Sequence, residues 1–481
     1  MALDAEACYQ ALRARDPRFD GVFYVGVATT GIYCRPVCPA RTPGRDRCSF
    51  YDRAAEAERA GFRACFRCRP ELAPGAARVD SVPSLARRAA SKIEAGYLDT
   101  QSITSLADTL GVSARHLRRA MEAELGVSPV ELAQTQRLAL AKQLLQDTDL
   151  PIATLAHAAG FGSVRRFNAV FRRRFDRAPS SVRRGTSPPN DEHGITVRLA
   201  ARAPFDAMPI LAFVAARAIP GVERVDGQEY RRVTAAGDNV GWMSVRPRAD
   251  APGVTVSLSL SLAPSLPQVI ARVRSLFDLD ARPELIDRHL EADPRLRARV
   301  RQRPGLRVPG AYDGFELAMR AVLGQQVSVA AATTMSGRLA ARFGDAQPQL
   351  GPTAVRFPSA ARLARATQSE VASIGLPTRR AQTLLAVAKA VHEGTLELSP
   401  AAELEPTLET LLALPGIGPW TAHYIAMRAL EWPDALPASD LVLRRALEVS
   451  TARQVERCAA PWSPWRAYAC MQLWAGPTEQ E

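Results

Sequence analysis

The stretch Leu414-Pro-Gly-Ile-Gly-Pro-Trp-Thr-Ala422 sets two glycines on either side of one apolar residue, between segments of helical periodicity. Because glycine has no side chain, backbone N–H groups at Gly416 and Gly418 can approach a phosphate, and the following helix adds its dipole. Asp440 comes 22 residues after Gly418 and opens the segment 441–446, Leu-Val-Leu-Arg-Arg-Ala. These features predict a helical C-terminal region that contacts a phosphate backbone and holds an ionised carboxylate at a helix start.

The composition is that of a globular protein with several domains. The chain has 481 residues, more than one hydrophobic core usually supports, which predicts two to four domains. A hydrophobic fraction of 47% argues against wholesale disorder. No apolar run is long enough to span a bilayer, and the N-terminus MALDAEACYQ lacks the pattern of a signal peptide. We therefore expect a cytoplasmic protein with no membrane partner, in which cysteines bind metal or react rather than pair.

The positive charge is concentrated in the first part of the chain. The net charge is +13, and residues 1–185 contain 29 basic and 19 acidic side chains. Residues 151–185 contain eight arginines and one aspartate. Compositional bias explains the use of arginine in place of lysine, but it does not explain why the excess lies in one third of the chain. Such a distribution favours a polyanionic partner, above all nucleic acid.

Two cysteine pairs stand out in the first segment. Cys34 and Cys38 are separated by three residues, and Cys65 and Cys68 by two, with 26 residues between the pairs. This spacing suits four thiolates around one tetrahedral zinc ion, with free thiols as the alternative. Zinc bound in this way fixes a fold without by itself conferring an activity.

The surroundings of these cysteines resemble a known family. Residues 29–38 (TTGIYCRPVC), 49–51 (SFY) and 60–70 (AGFRACFRCRP) are similar to the N-terminal domain of the Ada adaptive-response regulators. The resemblance implies that Cys34 is both a zinc ligand and an acceptor of methyl groups from DNA methylphosphotriesters. It also implies that Thr30, Arg41 and Arg63 lie near the DNA phosphates. Cys8 and Cys48 fall outside the pattern and are expected to be ordinary small residues.

An internal repeat with an offset of 49 to 50 residues occupies 81–185. Each copy predicts a short helix, a turn with glycine, and a second helix whose N-cap is Ser113 or Ser163. The two copies, joined by a long helix at about 129–146, resemble the AraC-type DNA-binding domain. The second helices are expected to enter the major groove, where arginine can bind guanine and asparagine adenine. The base-contact candidates, each of which could instead touch only phosphate, are Arg115, Arg118, Arg119, Arg165, Arg166 and Asn168. The run 172–174, three arginines, is expected to bind the DNA backbone.

The C-terminal segment resembles the AlkA-like 3-methyladenine DNA glycosylases of the helix-hairpin-helix family. The resemblance is carried by 213–217 (FVAAR), 303–310 (RPGLRVPG), 315–328 and 414–422. It implies that Asp440 is the catalytic carboxylate, which would stabilise positive charge on the deoxyribose. It also implies that a flipped alkylated base stacks on aromatic faces, for which the candidates are Trp420, Tyr424 and Trp474.

Four other features of the sequence bear on this resemblance. A known member of the family has an apolar residue in the base stack where this chain has Gln326. Glycosylases that also cut the backbone carry a lysine where Trp420 stands, so we expect no lyase activity. Asp434 is the alternative carboxylate, but it follows Trp432 and Pro433 and is expected in a loop. Trp432, Trp462 and Trp465 are expected to be core residues.

The sequence predicts a multidomain, mainly α protein that binds double-stranded DNA at alkylated sites and at a promoter. The predicted ranges are 1–75 for a small α/β zinc domain with one Zn²⁺, 81–185 for an all-α double helix-turn-helix domain, 186–194 for a linker, 195–300 for an α+β subdomain and 301–481 for the helical glycosylase domain. An activator of this type would also contact RNA polymerase. Two alternatives stay open: a zinc-containing regulator whose C-terminal region only binds DNA, and a glycosylase whose zinc is purely structural. The Pro-Cys-His-Arg motif of O⁶-methylguanine methyltransferases is absent from the sequence, so direct reversal at guanine is not expected.

Overall fold

The computed structural model describes residues 4–75, 84–183 and 194–476. The predicted linker therefore lies outside the described residues, except for Gly194. The chain divides into two compact units: 1–202 with 236–241 and 248–271, and 203–235 with 242–247 and 272–481. The α+β segment 195–300 contributes to both units, and its predicted boundaries remain predictions.

The first unit begins with a small sheet that holds the cysteine pairs. Its strands are β1 (Tyr24–Val27), β2 (Ile32–Cys34), β3 (Cys48–Tyr51) and β4 (Arg63–Ala64), in the order β3-β1-β2-β4. Helices α1 (Ala5–Ala14) and α2 (Ala54–Arg59) accompany it. Strands β2 and β4 are parallel, with Ile32 opposite Arg63 and Tyr33 opposite Ala64. This register places Cys34 beside Cys65.

Between residues 84 and 183 the structure describes eight α-helices, which contain the repeat. They are α3 (Leu85–Glu94), α4 (Tyr97–Thr100), α5 (Ile103–Thr109), α6 (Ala114–Leu125), α7 (Pro129–Asp147), α8 (Ile152–Ala158), α9 (Val164–Phe175) and α10 (Pro179–Val182). Helix α7 confirms the predicted long connection between the copies. Of the repeated apolar positions, Ile103 and its counterpart Ile152 are half-buried. The others are buried, including Leu117 and Met121 of the first copy and Phe167 and Phe171 of the second. The apolar residues of the repeat are therefore core residues, as the sequence predicts.

A set of antiparallel strands and one helix follows. They are β5 (Gly194–Ala200), α11 (Met208–Ala215), β6 (Glu223–Asp226), β7 (Glu229–Ala236), β8 (Asn239–Pro247) and β9 (Gly253–Ser259). Strand β5 pairs with β9 in the first unit, and β6 pairs with β7. Apolar residues alternate in the sequence from Val254 to Leu262, which is the period of a strand. Val254, Val256 and Leu258 of β9 are buried as this pattern predicts, whereas Leu260 lies past the end of the strand and is exposed.

The rest of the second unit is mainly helical. Its elements are α13 (Pro283–Leu290), α14 (Pro294–Gln302), α15 (Gly314–Leu323), α16 (Val329–Phe343), β10 (Asp345–Ala346), β11 (Val355–Arg356), α17 (Ala360–Ala364), α18 (Gln368–Ala372), α19 (Thr378–His392), α20 (Leu404–Ala413), α21 (Pro419–Ala429), α22 (Leu441–Ala446), α23 (Ala452–Ala459) and α24 (Arg466–Trp474), with α12 (Leu266–Leu276) leading into it. Helices α15, α16, α19, α20 and α21 share one apolar core. The mainly α, multidomain class is confirmed. None of the helices among the described residues has both the length and the hydropathy to cross a membrane.

Candidate metal centre and nucleic-acid interface

The four predicted cysteines converge. Their Sγ atoms all lie within 4.8 Å of one another, and none of the eight cysteines, all of which are among the described residues, forms a disulfide. Tetrahedral zinc with bonds of about 2.3 Å requires S···S separations of about 3.8 Å, which this cluster accommodates. Two sulfurs also accept backbone hydrogen bonds: Arg35 N–H donates to Cys68 Sγ at 3.4 Å, and Arg67 N–H to Cys65 Sγ at 3.3 Å. The cluster fits one Zn²⁺.

The other residues predicted to contact DNA from this module are accessible at the surface, and their contacts with phosphate remain predictions. Thr30 and Arg41 are exposed, and the Arg63 side chain is 42% exposed. Cys8 and Cys48 are buried outside the cluster, and burial is the main cause that raises the pKa of the Cys8 thiol to about 11. A thiol with so high a pKa stays protonated and unreactive, in line with the expectation for Cys8.

The helix-turn-helix units have the predicted caps. Ser113 accepts a hydrogen bond from the N–H of His116 at the start of α6, and Ser163 from that of Arg166 at the start of α9. The structure leaves Arg115, Arg118, Arg119, Arg165 and Arg166 exposed, whereas Asn168 is half-buried. Their roles as base contacts remain predictions.

One arginine of the run 172–174 must be reassigned. Arg174 forms an ion pair with Glu58 Oε2 at 2.8 Å and donates to the Glu58 carbonyl at 3.1 Å. Its side chain is only 19% exposed, whereas Arg172 and Arg173 are exposed. The predicted backbone clamp therefore consists of two arginines, because the third turns inward toward a carboxylate that the sequence did not single out.

Residues 414–418, the glycine hairpin, connect α20 to α21. Its two glycines differ in backbone conformation and in surroundings. Gly416 has φ +82°, and a Cβ there would lie 2.2 Å from Thr383 Oγ1, so the fold itself requires glycine. Gly418 caps α21 with φ −98°, and a Cβ there would meet open space. Protein packing does not explain glycine at 418, so the position is free for a close approach from outside, as the phosphate-binding prediction requires.

Asp440 is the N-cap of α22, as predicted, and it has four hydrogen-bond donors. Its Oδ1 accepts from the N–H groups of Val442 at 2.9 Å and Leu443 at 3.0 Å. Trp474 Nε1 donates to the same oxygen at 3.1 Å, and Trp420 Nε1 donates to Oδ2 at 3.0 Å. These four donors hold the carboxylate in one orientation.

The three aromatic candidates form one group around this carboxylate. The rings of Trp420 and Tyr424 are stacked at 5.1 Å with an interplanar angle of 7°, and Trp474 lies 6.4 Å from Tyr424. Arg428 donates to the Tyr424 hydroxyl at 2.8 Å. Burial opposes ionisation of that phenol, but the charges of Arg428 and Arg217 outweigh it and lower the pKa of Tyr424.

Asp434, the alternative catalytic carboxylate, is bound by other side chains. Asp434 lies in a loop, where Arg466 binds both its oxygens at 2.7 Å and Ser463 donates at 2.9 Å. Trp462 and Trp465 are buried, as expected for core residues, whereas Trp432 is half-buried against His423.

Gln326 is exposed and has a left-handed backbone with φ +56°. Its neighbour Gln325 donates from Nε2 to the Gly416 carbonyl at 2.9 Å and to Thr421 Oγ1 at 3.0 Å. The turn that carries Gln326 is thereby attached to the glycine hairpin. The sequence did not predict this contact, and the one local hint of it is the pair of adjacent glutamines, Gln325 and Gln326.

Four family models match successive parts of the chain. A model of the metal binding domain of Ada matches residues 7–71, and one of a helix-turn-helix domain matches 106–185. A model of the AlkA N-terminal domain matches 196–313, and one of the HhH-GPD superfamily of base excision DNA repair proteins matches 319–453. The four clustered cysteines, Cys34, Cys38, Cys65 and Cys68, thus belong to an Ada metal-binding module. This tetrad binds one Zn²⁺.

A probable bifunctional transcriptional activator/DNA repair enzyme AlkA of Mycobacterium tuberculosis is 40% identical over 98% of this chain and 96% of its own length. The chain belongs to the family of bifunctional transcriptional activator/DNA repair enzymes. DNA-3-methyladenine glycosylase 2 of Escherichia coli is 36% identical over 56% of this chain and 94% of its own length. The solved 3-methyladenine DNA-glycosylase of Archaeoglobus fulgidus has a TM-score of 0.51 at 22% identity, over 58% of this chain and 96% of its own, which shows a shared fold.

Proposed function

We propose that this chain repairs alkylated DNA in two ways and reports the damage as a transcriptional activator. Its C-terminal region excises alkylated purines by hydrolysis of the N-glycosidic bond, with Asp440 as the catalytic carboxylate. Its zinc module accepts methyl groups on Cys34 from DNA methylphosphotriesters. The main support for the glycosylase activity is that the indoles of Trp420 and Trp474 both donate hydrogen bonds to the Asp440 carboxylate.

Base excision follows from the charge and position of Asp440. As the bond from C1′ to the base nitrogen breaks, positive charge develops on the deoxyribose, and a fixed carboxylate lowers the energy of that state. Water then adds to C1′ and loses a proton to solvent, which leaves an abasic site and the free base. An alkylated purine already carries positive charge, so departure of the base needs no strong acid. Stacking on Trp420, Tyr424 and Trp474 holds the flipped base.

Methyl transfer uses the Cys34 thiolate as nucleophile. When bound, Zn²⁺ keeps its four sulfur ligands deprotonated at neutral pH. Cys34 Sγ attacks the methyl carbon of the phosphotriester, an S–C bond forms, and the C–O bond breaks. The electron pair leaves with the phosphate oxygen, so the products are a protein thioether and a normal phosphodiester. The cysteine is not regenerated, which makes the reaction stoichiometric.

The glycosylase is proposed to be monofunctional. Cleavage of the DNA backbone by this class of enzyme requires an amine that forms a Schiff base with the sugar. The segment 414–474, which contains the aromatic group and Asp440, has no lysine. We therefore propose base release without lyase activity.

The regulatory activity rests on the two helix-turn-helix units. Exposed arginines on α6 and α9 suit contact with a promoter, and activation implies contact with RNA polymerase. A regulator without catalysis is disfavoured, because Asp440 and its two indole donors would then have no function.

One experiment on the full chain tests both repair activities. The chain is incubated with methylated duplex DNA, released bases are measured by chromatography, and protein mass is measured by mass spectrometry. We expect free alkylpurine together with a mass increase of one methyl group on the peptide that contains Cys34. DNA that keeps all its bases would overturn the glycosylase, and an unmodified Cys34 would leave the zinc a structural role only.

A further inference from the structure

Within the first unit, the zinc module contacts the C-terminal end of α9, the second helix of the second helix-turn-helix unit. Phe66, which lies between the zinc ligands Cys65 and Cys68, packs against Phe175 with ring centroids 5.5 Å apart. The Arg177 guanidinium lies 5.7 Å from the Phe66 ring centroid. The last turn of α9 is therefore in contact with the loop that binds the metal.

A buried carboxylate makes a second connection. Glu58 Oε1 accepts from the hydroxyl of Tyr33, the residue before Cys34, at 3.1 Å. Glu58 Oε2 accepts from Thr135 on α7 at 2.7 Å and pairs with Arg174 on α9 at 2.8 Å. One side chain thus joins the strand of the methyl acceptor to two helices of the DNA-binding domain. Because such a carboxylate would be costly to bury alone, all three partners are held in place.

A second buried pair fixes the metal-binding loop to α7. Lys142 is fully buried, and its Nζ donates to the Cys65 carbonyl at 2.7 Å and to Glu71 Oε2 at 2.8 Å. Arg69 donates to both oxygens of Asp147, the last residue of α7, at 2.7 and 3.0 Å. The loop and α7 are therefore held together by buried ionic contacts, as well as by the packing at Phe66.

Both modules carry exposed arginines in the segments that form this junction. Arg63 Nη1 of β4 lies 4.0 Å from Oδ2 of Asp176, just past α9, and the Asp176 side chain is 90% exposed. Exposed arginines that are close to them in sequence are Arg67 of the zinc module and Arg172, Arg173 and Arg177 of the helix region. Asp176 is the acidic residue within this group.

We propose that the zinc module and the end of α9 form one DNA-binding surface, so that a duplex held by Arg172 and Arg173 presents its methylphosphotriester to Cys34. This proposal rests on the methyl transfer proposed above. It assigns the second helix-turn-helix unit a part in the repair reaction, in addition to promoter binding. The fixed contacts at Glu58 and Lys142 keep the acceptor and the two arginines at a constant separation, which is the condition for one duplex to reach both.

The test compares variants that lose equal charge. Arg172→Ala/Arg173→Ala removes two exposed arginines from the proposed surface. Arg224→Ala/Arg231→Ala removes two exposed arginines from strands β6 and β7, outside the proposed sites. The rate of methyl transfer to Cys34 of the full chain is followed by mass spectrometry, with a methylphosphotriester duplex or with methyl iodide as donor. The iodide reports the reactivity of the thiolate without any DNA contact.

We expect the variant of α9 to react about tenfold more slowly with the duplex and at the wild-type rate with methyl iodide, because it loses phosphate contacts alone. The control variant should match the wild type with both donors. Equal duplex rates for all three proteins would overturn the shared surface. A wild type that accepts no methyl group from DNA would instead overturn the proposed methyl transfer, so the two failures are distinguishable.

Asp176→Asn gives a test in the opposite direction. Asparagine tolerates the left-handed backbone of Asp176, at φ +55°, while its amide carries no charge to repel phosphate. We expect transfer from the duplex to become about two- to threefold faster, with the iodide rate unchanged. A merely structural role for Asp176 predicts no acceleration, and an unchanged or slower duplex rate would contradict the proposal.

Discussion

The indole of Trp420 donates a hydrogen bond of 3.0 Å to the carboxylate of Asp440, although the two residues are 20 positions apart. The same Trp420 ring is stacked on Tyr424, so the carboxylate and the surface proposed to hold the base are parts of one rigid group. A base stacked there and the charge that stabilises its departure would keep a constant geometry, which is a requirement for efficient catalysis.

Asp440→Asn should abolish base excision and change DNA affinity by no more than a few-fold. The amide cannot stabilise positive charge on the sugar, whereas phosphate contacts supply most of the binding energy. Single-turnover excision and binding to alkylated duplex are the measurements. Wild-type excision by this variant would mean that the carboxylate is misassigned, and Asp434→Asn is the matched control.

Trp420→Phe and Trp474→Phe should each lower kcat while KM changes little. Phenylalanine keeps an aromatic face but removes one donor to Asp440, and a hydrogen bond to a charged group is worth about 1.5–3 kcal/mol. We expect kcat to fall about 10- to 100-fold. Trp432→Phe, at a half-buried site against His423, should excise normally. If KM rose instead while kcat held, the indoles would act on binding alone.

The aromatic residues should differ in their selectivity for charge. Trp474→Ala should lose excision of cationic 7-methylguanine more than of neutral hypoxanthine, by about 0.5–2 kcal/mol, because only a cation gains from the ring face. Tyr424→Ala should show a smaller difference, since Arg428 already lies 5.6 Å from that ring centroid and opposes a second cation. The ratio of kcat/KM on the two bases measures this, and identical ratios in both variants would indicate that the rings act through shape.

Methylation of Cys34 should strengthen promoter binding. It converts one thiolate into a thioether, so the zinc complex changes from −2 to −1 and repels phosphates less. At separations of several ångströms and an effective dielectric constant of about 20 to 40, the gain is about 1–2 kcal/mol. Affinity is measured before and after transfer, at several salt concentrations, on a duplex selected from random sequences by the methylated chain. Cys34→Ser is the control, and an unchanged affinity after confirmed transfer would show that the module removes methyl groups without signalling.

The zinc ligands and the helix starts could be predicted from the sequence because their signals are local. Two cysteine pairs with short spacings suffice to indicate a metal, and a serine or aspartate before a helical pattern suffices to indicate a cap. Ser113, Ser163 and Asp440 all cap the helices that the pattern predicts. The indole donors to Asp440 had no such signal, because Trp474 lies 34 positions away and only the packing of α24 brings it there.

The three consecutive arginines 172–174 separate what the sequence determines from what the tertiary structure decides. The sequence by itself determined the four modules, the tetrad of cysteines, the repeated helices and a basic surface, because periodicity, spacing and composition are properties of neighbouring residues. Nothing local distinguishes Arg174 from Arg172 and Arg173. The tertiary structure alone turns Arg174 toward Glu58, 116 positions away, because a buried carboxylate must be paired and the packing of α9 determines which arginine can reach it.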